Sequence, residues 1–503
     1  MWKAKLTSRE QDYSARYNEL VEKAGLAENS DVRWCMVIKP YGYAIRERIQ
    51  SILDRMFKNT GHQNAYFPIF IPKSYLSKEA AHVDGFAKEC AVVTHHRLMN
   101  DPQGNGVIVD PSAKLEEELI IRPTSETIIR NTYKKRVKSH RDLPILVNQR
   151  ANVVRREMRT RMFLRTAEFL RQEWHTAHAT KQEAVDEAKQ MHEVYNDIMK
   201  NFMAIDGVMW AKCESERFAG ADDTLTIESM MQDKKALQFC TSHFLGQNFA
   251  KAFDVTYTNS SNEQEHVWAT SWGMTTRTIW GMIMSHSDDA GLVLPPLLAP
   301  LHVVIVPIYK TGEELDALTE YLFPVFGVLE WASMSTSTEY IDDEMPISYK
   351  IDDDDQKSPG WKFAEYELKW VPIRVAVWSR DMKNAVLEIT RRDTSEKKLV
   401  PIADAGEYIL QTLEDIQKTL LSATKSRREE HTYIVDSREE FQEKIEQWFV
   451  LAHRDGTIAT EDKISELTKA SIRCLPFDEP KQDGACVYTW NPSSQRVLFA
   501  KAY

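Results

Sequence analysis

The chain has 503 residues, 43% of them apolar and 28% charged, with a formal net charge of −11. That length exceeds one hydrophobic core and predicts about three domains at roughly 100–200 residues each. No apolar run reaches the roughly 18 residues that span a bilayer, so no membrane association is expected. The acidic balance excludes a generic nucleic-acid binder, although a local basic face would suffice for a specific one.

In chain order, the start Met1-Trp2-Lys3-Ala4-Lys5-Leu6-Thr7 lacks the apolar core and cleavage site of a secretory signal. The six cysteines (Cys35, Cys90, Cys213, Cys240, Cys474, Cys486) show no C-x-x-C spacing. Both features point to reduced thiols and a cytoplasmic protein. Helical periodicity predicts helices over 9–25 and 41–59, the second ended by Thr60-Gly61. Tyr66-Phe67-Pro68-Ile69-Phe70-Ile71-Pro72 reads as a short apolar strand with prolines at its edges. Two strands of a hairpin follow over 153–157 and 169–175, then a helix over 182–203. Residues 215–238 read as strand, loop and short helix. The run Pro295-Pro296-Leu297-Leu298-Ala299-Pro300 punctuates the chain, and Val303-Val304-Ile305-Val306-Pro307-Ile308 starts a new unit. Alternating strands and helices to residue 405 predict an α/β unit with a partly parallel sheet. A helix over 406–425 leads to a final α+β module, and the acidic run at 352–355 reads as a solvated loop.

The hairpin carries the chemistry. Alternation puts Arg155 and Glu157 on one face of its first strand, and Phe169, Arg171, Glu173 and His175 on one face of its second. An arginine fork can clamp a phosphate and a carboxylate, a glutamate can accept from an amino group, and a phenyl ring can stack on a heterocycle. The spacing alone fits a solvated amphipathic hairpin equally well.

Arg155-x-Glu157 with Phe163-Leu164-Arg165-Thr166-x-Glu168-Phe169-Leu170-x-Gln172-Glu173-x-His175-Thr176-Ala177 resembles motif 2 of a class II aminoacyl-tRNA synthetase, specifically of the prolyl-tRNA synthetase family. The resemblance extends through Lys39-Pro40-x-Gly42-Tyr43, Pro123-Thr124-Ser125-Glu126-Thr127, Thr241-Ser242-His243-Phe244-Leu245-Gly246 and Ser271-Trp272-Gly273-Met274-Thr275-Thr276-Arg277, to the terminal Phe499-Ala500-Lys501-Ala502-Tyr503. It implies an α+β catalytic domain on an antiparallel sheet at 1–299, an α/β anticodon-binding domain at 300–405, a linker helix at 406–430 and a small α+β C-terminal domain at 431–503. It also implies a homodimer with Pro68 at its interface, and ATP, L-proline and tRNA(Pro) as substrates.

Proline activation passes through a crowded anionic transition state, so fixed positive charge is the main need. By resemblance Arg155 and Arg277 are the catalytic cations. Arg155, Glu157, Arg165, Thr166, Phe169, Gln238, Thr241 and Arg277 hold ATP, with Arg277 and Phe169 sandwiching adenine. Thr124, Glu126, Arg155, Arg171, Glu173, His175, His243, Ser271 and Gly273 form the proline pocket. Mg2+ bridges the phosphates, with Glu228 as its candidate ligand, although a single glutamate is more often structural. Phe363, Glu367, Arg374 and Lys397 meet the anticodon guanines, with Arg380 and Asp381 close by. Relatives of the archaeal and eukaryotic type hold the C-terminal module with four zinc-binding cysteines. Only Cys474 and Cys486 remain here, so no zinc and no other resident metal is expected. The short connection between motifs 2 and 3 leaves no room for an editing insertion.

The departures from the family pattern have a direction. Glycine numbers 18 and tryptophan 13. Trp34, Trp174, Trp280, Trp370, Trp378 and Trp490 stand where the family has glycine, and Arg46, Arg156, Arg171 and Arg454 where it has tryptophan. Arg171 replaces a ring of the proline wall by a cation, and Cys240 replaces a glycine beside Thr241. The leading expectation is an active ligase. A non-catalytic tRNA-binding or regulatory descendant is the alternative, and a threonine or serine synthetase a lesser one.

Overall fold

The computed structural model describes residues 6–77, 89–157, 159–476 and 480–503. Most of the N-terminal stretch read for a secretory signal lies outside them. The predicted helix at 41–59 runs Pro40–Asn59, with proline at its first turn. It buries Ile45, Ile49, Ile52, Leu53, Met56 and Phe57 at three- and four-residue spacing, the stripe that a half-buried helix requires. A Cβ on Gly42 would collide with the main-chain oxygen of Leu26, so glycine there permits the close approach of helix and chain. The predicted strand at 66–72 contracts to Phe70–Pro72.

A seven-stranded sheet is the frame of the catalytic unit. Its strands lie in the order Val208–Ala211, Asp223–Met230, Ala236–Gly246, Trp268–Thr275, Glu168–His178, Ile145–Val154 and Gln63–Asn64. All neighbours are antiparallel except the last pair. The helix Lys181–Asp197, opened by the capping box of Thr180 and Glu183, covers one face. The reading of 215–238 as strand, loop and short helix needs correction, because a 3-10 turn at Glu214–Glu216 and a loop lead into a strand from Asp223, a tight turn and the start of a second strand. Lys234 makes the turn in left-handed backbone (φ 67°).

From Val303 the chain builds a five-stranded sheet in which Val303–Ile308 lies parallel to both Tyr349–Ile351 and Ile373–Trp378. Two antiparallel strands, Val386–Arg391 and Lys397–Pro401, complete it. The acidic run is not wholly solvated: Asp352 is buried, accepts from the Tyr366 hydroxyl at 3.0 Å and pairs with Lys362 at 3.4 Å. The helix Ala405–Glu430 runs past the 406–425 read from the residues and fills the 406–430 implied by the resemblance, and Gln417, Thr424 and Arg428 tie it to residues 201–206 of the catalytic unit. A last sheet, in the order Thr432–Ile434, Phe449–His453, Arg496–Ala500 and Ser471–Cys474, ends the chain.

Three tryptophans occupy left-handed backbone: Trp34 (φ 69°), Trp370 (φ 58°) and Trp490 (φ 61°). Trp174 is buried between Phe57 and Trp272, with ring centroids at 4.3 and 5.6 Å. Among the described residues, the buried indole N–H groups of Trp174, Trp280 and Trp370 have no hydrogen-bond partner, unusual for a ring that normally finds one.

Candidate active site

The hairpin strands pair with Glu168 opposite Val154, so the first strand ends one residue before Arg155. Arg155 and Glu157 therefore sit in the loop beyond it, a correction to the strand reading. The ladder diverges there because the Arg156 N–H bonds to the Glu89 carbonyl. Arg155 is fixed by its Nε donating to the Pro123 carbonyl at 2.8 Å, and its guanidinium lies 5.6 Å from the centroid of the Phe169 ring.

Two cross-strand rows order the rest. Glu173, Gly273 and Thr241 are register partners across three adjacent strands, and His175, Ser271 and His243 form the next row. A cavity of about 430 Å3 opens above them. Its walls include Arg155, Glu157, Arg165, Thr166 and Phe169 from the hairpin, Gln238, Thr241 and His243 from one strand, Gly273 from the third, and Arg277 from the start of the helix Arg277–His286 that follows it. All the residues expected to hold ATP thus converge on one space. Burial, then the Arg171 charge, lowers Arg155 to about 10; burial, then Arg165, does the same to Arg277. Both remain cations at neutral pH.

The expected proline pocket is assembled, with Arg155, Arg171, His243 and Gly273 on the cavity wall and its other members buried. Thr124 donates to the Glu126 carboxylate, and Glu173 accepts from Ser125 and, at 3.0 Å, from Gln149. His243 shares hydrogen bonds at 3.0 Å with Thr224 and Thr241. Burial pulls His175 down to about 4 and His243 to about 3, so both rings are neutral. Arg171 lines the cavity in front of this group and pairs with Glu173 at 3.3 Å. Its Nε and Nη2 lie 2.9 Å from where a Cβ on Gly273 would stand. Thr124, Glu126, Glu173, His175 and Ser271 do not reach the cavity wall.

Glu228 cannot serve as a Mg2+ ligand here. It is fully buried, and both of its oxygens accept hydrogen bonds from Lys212 or Arg473. Among the described residues no cluster of three or more His, Cys, Asp or Glu side chains is placed to hold a metal.

The anticodon candidates also converge. The Arg374 guanidinium stacks 3.9 Å over the Phe363 ring, with Glu367 and Glu388 supplying opposing charge, and Lys397 pairs with Glu388 at 3.4 Å. Arg380 and Asp381 pair with each other instead. Sequence reasoning missed Lys212 and Glu216 on the cavity wall, Gln149 behind Glu173, and Glu388. Only strand pairing, which sequence spacing does not reveal, places Gln149 opposite Glu173.

Comparison with known proteins agrees with this geometry. Residues 109–286 match the class II tRNA synthetase core domain (G, H, P, S and T), 302–412 the anticodon-binding domain, and 438–503 the prolyl-tRNA synthetase C-terminal domain. Proteins named proline–tRNA ligase from Cytophaga hutchinsonii and Porphyromonas gingivalis are 57% and 59% identical, each over 99% of both chains. The crystal structure of prolyl-tRNA synthetase from Cryptosporidium parvum complexed with L-proline and AMP superposes with a TM-score of 0.86 at 32% identity, covering 99% of this chain and 96% of that one. The α+β catalytic core, the anticodon-binding unit and the C-terminal unit expected from the sequence are present together, and the chain belongs to the prolyl-tRNA synthetase family.

Proposed function

We propose that the cavity is where this chain, a proline–tRNA ligase, joins L-proline to ATP before the prolyl group passes to the 3′ end of tRNA(Pro). The observation that carries the reading is the convergence of Arg155, Arg165 and Arg277 with Phe169, Gln238 and Thr241 on one cavity of nucleotide size. The full-length relatives support an active ligase rather than a non-catalytic descendant.

In the reaction a carboxylate oxygen of proline attacks the α-phosphorus, and the bond to the pyrophosphate oxygen breaks. Charge builds on the α-phosphate oxygens. Arg155, held by the Pro123 carbonyl, meets both carboxylate and α-phosphate, and Arg277 faces the nucleotide with Phe169 across adenine. Glu157 accepts from the adenine amino group, and Arg165, Thr166, Gln238 and Thr241 take phosphate and ribose. Mg2+ would enter with the nucleotide, whose phosphates supply its oxygen ligands. Thr124, Glu126, Glu173, His175, His243, Ser271 and Gly273 surround the amino acid. Phe363, Glu367, Arg374 and Lys397 read the anticodon guanines, one stacking, one accepting and two donating.

The division at 299, 405 and 430 and a cytoplasmic location belong to the same reading. A homodimer about Pro68 is supported by the exposed rings of Tyr66 and Phe70 beside it, which are 72% and 45% exposed. Light scattering should give twice the chain mass.

Proline-dependent exchange of pyrophosphate into ATP tests the core claim. The purified chain should catalyse it with proline and not with threonine or serine, and Arg155→Ala should lose at least about a hundredfold while staying folded. Near-normal exchange in a folded Arg155→Ala protein would remove Arg155 from the phosphate-clamping role.

A further inference from the structure

The C-terminal unit docks on the edge of the catalytic sheet. Ala211 and Leu475 exchange main-chain hydrogen bonds at 2.9 and 2.7 Å, and Ala236 donates to the Lys501 carbonyl at 2.8 Å. Beneath that seam lies a fully buried charge cluster. Glu228 sits on the strand Asp223–Met230, opposite Gln238 of the cavity wall. Its Oε1 accepts from Lys212 Nζ at 2.7 Å and Arg473 Nη2 at 3.1 Å, and its Oε2 from Arg473 Nε at 3.2 Å and Nη2 at 3.1 Å. Lys212 Nζ also donates to the Arg473 carbonyl at 2.9 Å.

This cluster reaches the nucleotide side. Lys212 is itself on the cavity wall, and Arg277 feels the charges of both Glu228 and Arg473. Two cations and one carboxylate leave one net positive charge in this buried group, while Glu216, the other carboxylate that acts on Arg473, is exposed to solvent. Such a charge acts on phosphates over several ångströms, since little solvent screens it.

We propose that Arg473 is a positioning residue for the ATP site, through which the C-terminal unit completes that site. Its guanidinium shares Glu228 with Lys212, so that the two cations exceed the carboxylate by one charge beside the nucleotide, and its main chain fixes the Lys212 ammonium. Without Arg473 the carboxylate would offset the lysine's charge, and the buried group would add no net positive charge to that of Arg155, Arg165 and Arg277 on the wall.

The proposal rests on the nucleotide reading of the cavity, and full-length protein with pyrophosphate exchange separates the two. If the unaltered chain shows no proline-dependent exchange, the functional reading itself fails. If it does, Arg473→Gln should raise the ATP KM about tenfold, with the proline KM within about twofold, and Arg473→Lys should recover most of the loss. An unchanged ATP KM, or ATP and proline KM values that rise together, in folded Arg473→Gln would overturn the proposal. Should that variant not fold, the double variant Glu228→Gln with Arg473→Gln decides, because it restores one net positive charge through Lys212. It should keep the ATP KM within about threefold of the parent, and a tenfold rise in the folded double variant would equally overturn the proposal.

Discussion

At the scale of single residues, Arg171 has the most consequence for activity. Its side chain stands between the cavity and Glu173, and it holds that carboxylate by an ion pair at 3.3 Å. A cation in this place repels the ammonium of an incoming proline and competes for the carboxylate that would receive it. Replacing Arg171 by tryptophan should therefore lower the proline KM by about tenfold or more, with the ATP KM little changed, because the adenine contacts lie elsewhere on the wall. An unchanged or raised proline KM in a folded Arg171→Trp protein would show that this position does not govern the pocket.

At the scale of elements, the sheet that follows Val303 gives a separable prediction. Arg374 stacks on Phe363 at 3.9 Å and projects from a strand whose neighbour carries Glu388, which in turn pairs with Lys397 of the next strand out. Arg374→Ala should slow transfer of proline to tRNA(Pro) by about tenfold or more, the range of one lost base contact, and leave pyrophosphate exchange intact. Equal losses in both assays would assign Arg374 a merely structural role. These elements were largely legible in the sequence, since β-branched runs and helical stripes survive without knowledge of their partners. The misread segment at 215–238 shows what is not legible. Its turn, Gln232-Asp233-Lys234, holds one turn-forming residue, Asp233, and puts a lysine rather than glycine or asparagine in the left-handed position, a signal too weak to mark the second strand. The catalytic hairpin was readable as a hairpin, but not where its ladder ends, because the Arg156 N–H leaves for a carbonyl remote in sequence. Arg155, Phe169 and Arg277 were found by motif; Lys212 and Gln149 needed the strands to be paired.

At the scale of the whole molecule, buried histidines set the response to acid. Burial lowers His175, His178, His192 and His286 to about 4, and His243 and His302 to about 3. In the unfolded chain the same rings bind a proton near 6.5. Below that pH the unfolded state takes up protons that the native state refuses, so stability falls as pH falls. Each ring contributes up to roughly 1.4 kcal/mol per pH unit until its native value is reached. The thermal unfolding midpoint should be steady from pH 8 to 7 and decline steeply from about 6.5 toward 5. A midpoint that is flat between pH 7 and 5 would mean that these rings are not sequestered.

The tryptophans in left-handed backbone bear on translation. A side chain in that conformation costs roughly 1–2 kcal/mol, and glycine does not pay it. Trp34, Trp370 and Trp490 all adopt it, and by the sequence resemblance the family carries glycine at these positions and an indole at 171. Random drift would scatter replacements among many residue types. Apart from cysteine for glycine at 240, the exchanges run in one sense, glycine to tryptophan and tryptophan to arginine, as they would if a message were read by codon assignments other than those of its own cell. We expect the polypeptide made in that cell to carry glycine at 34, 370 and 490 and tryptophan at 171. Peptide mass spectrometry of the endogenous protein decides the matter: tryptophan at the first three positions would return the pattern to ordinary substitution, and the three glycines would make this chain a record of its cell's genetic code.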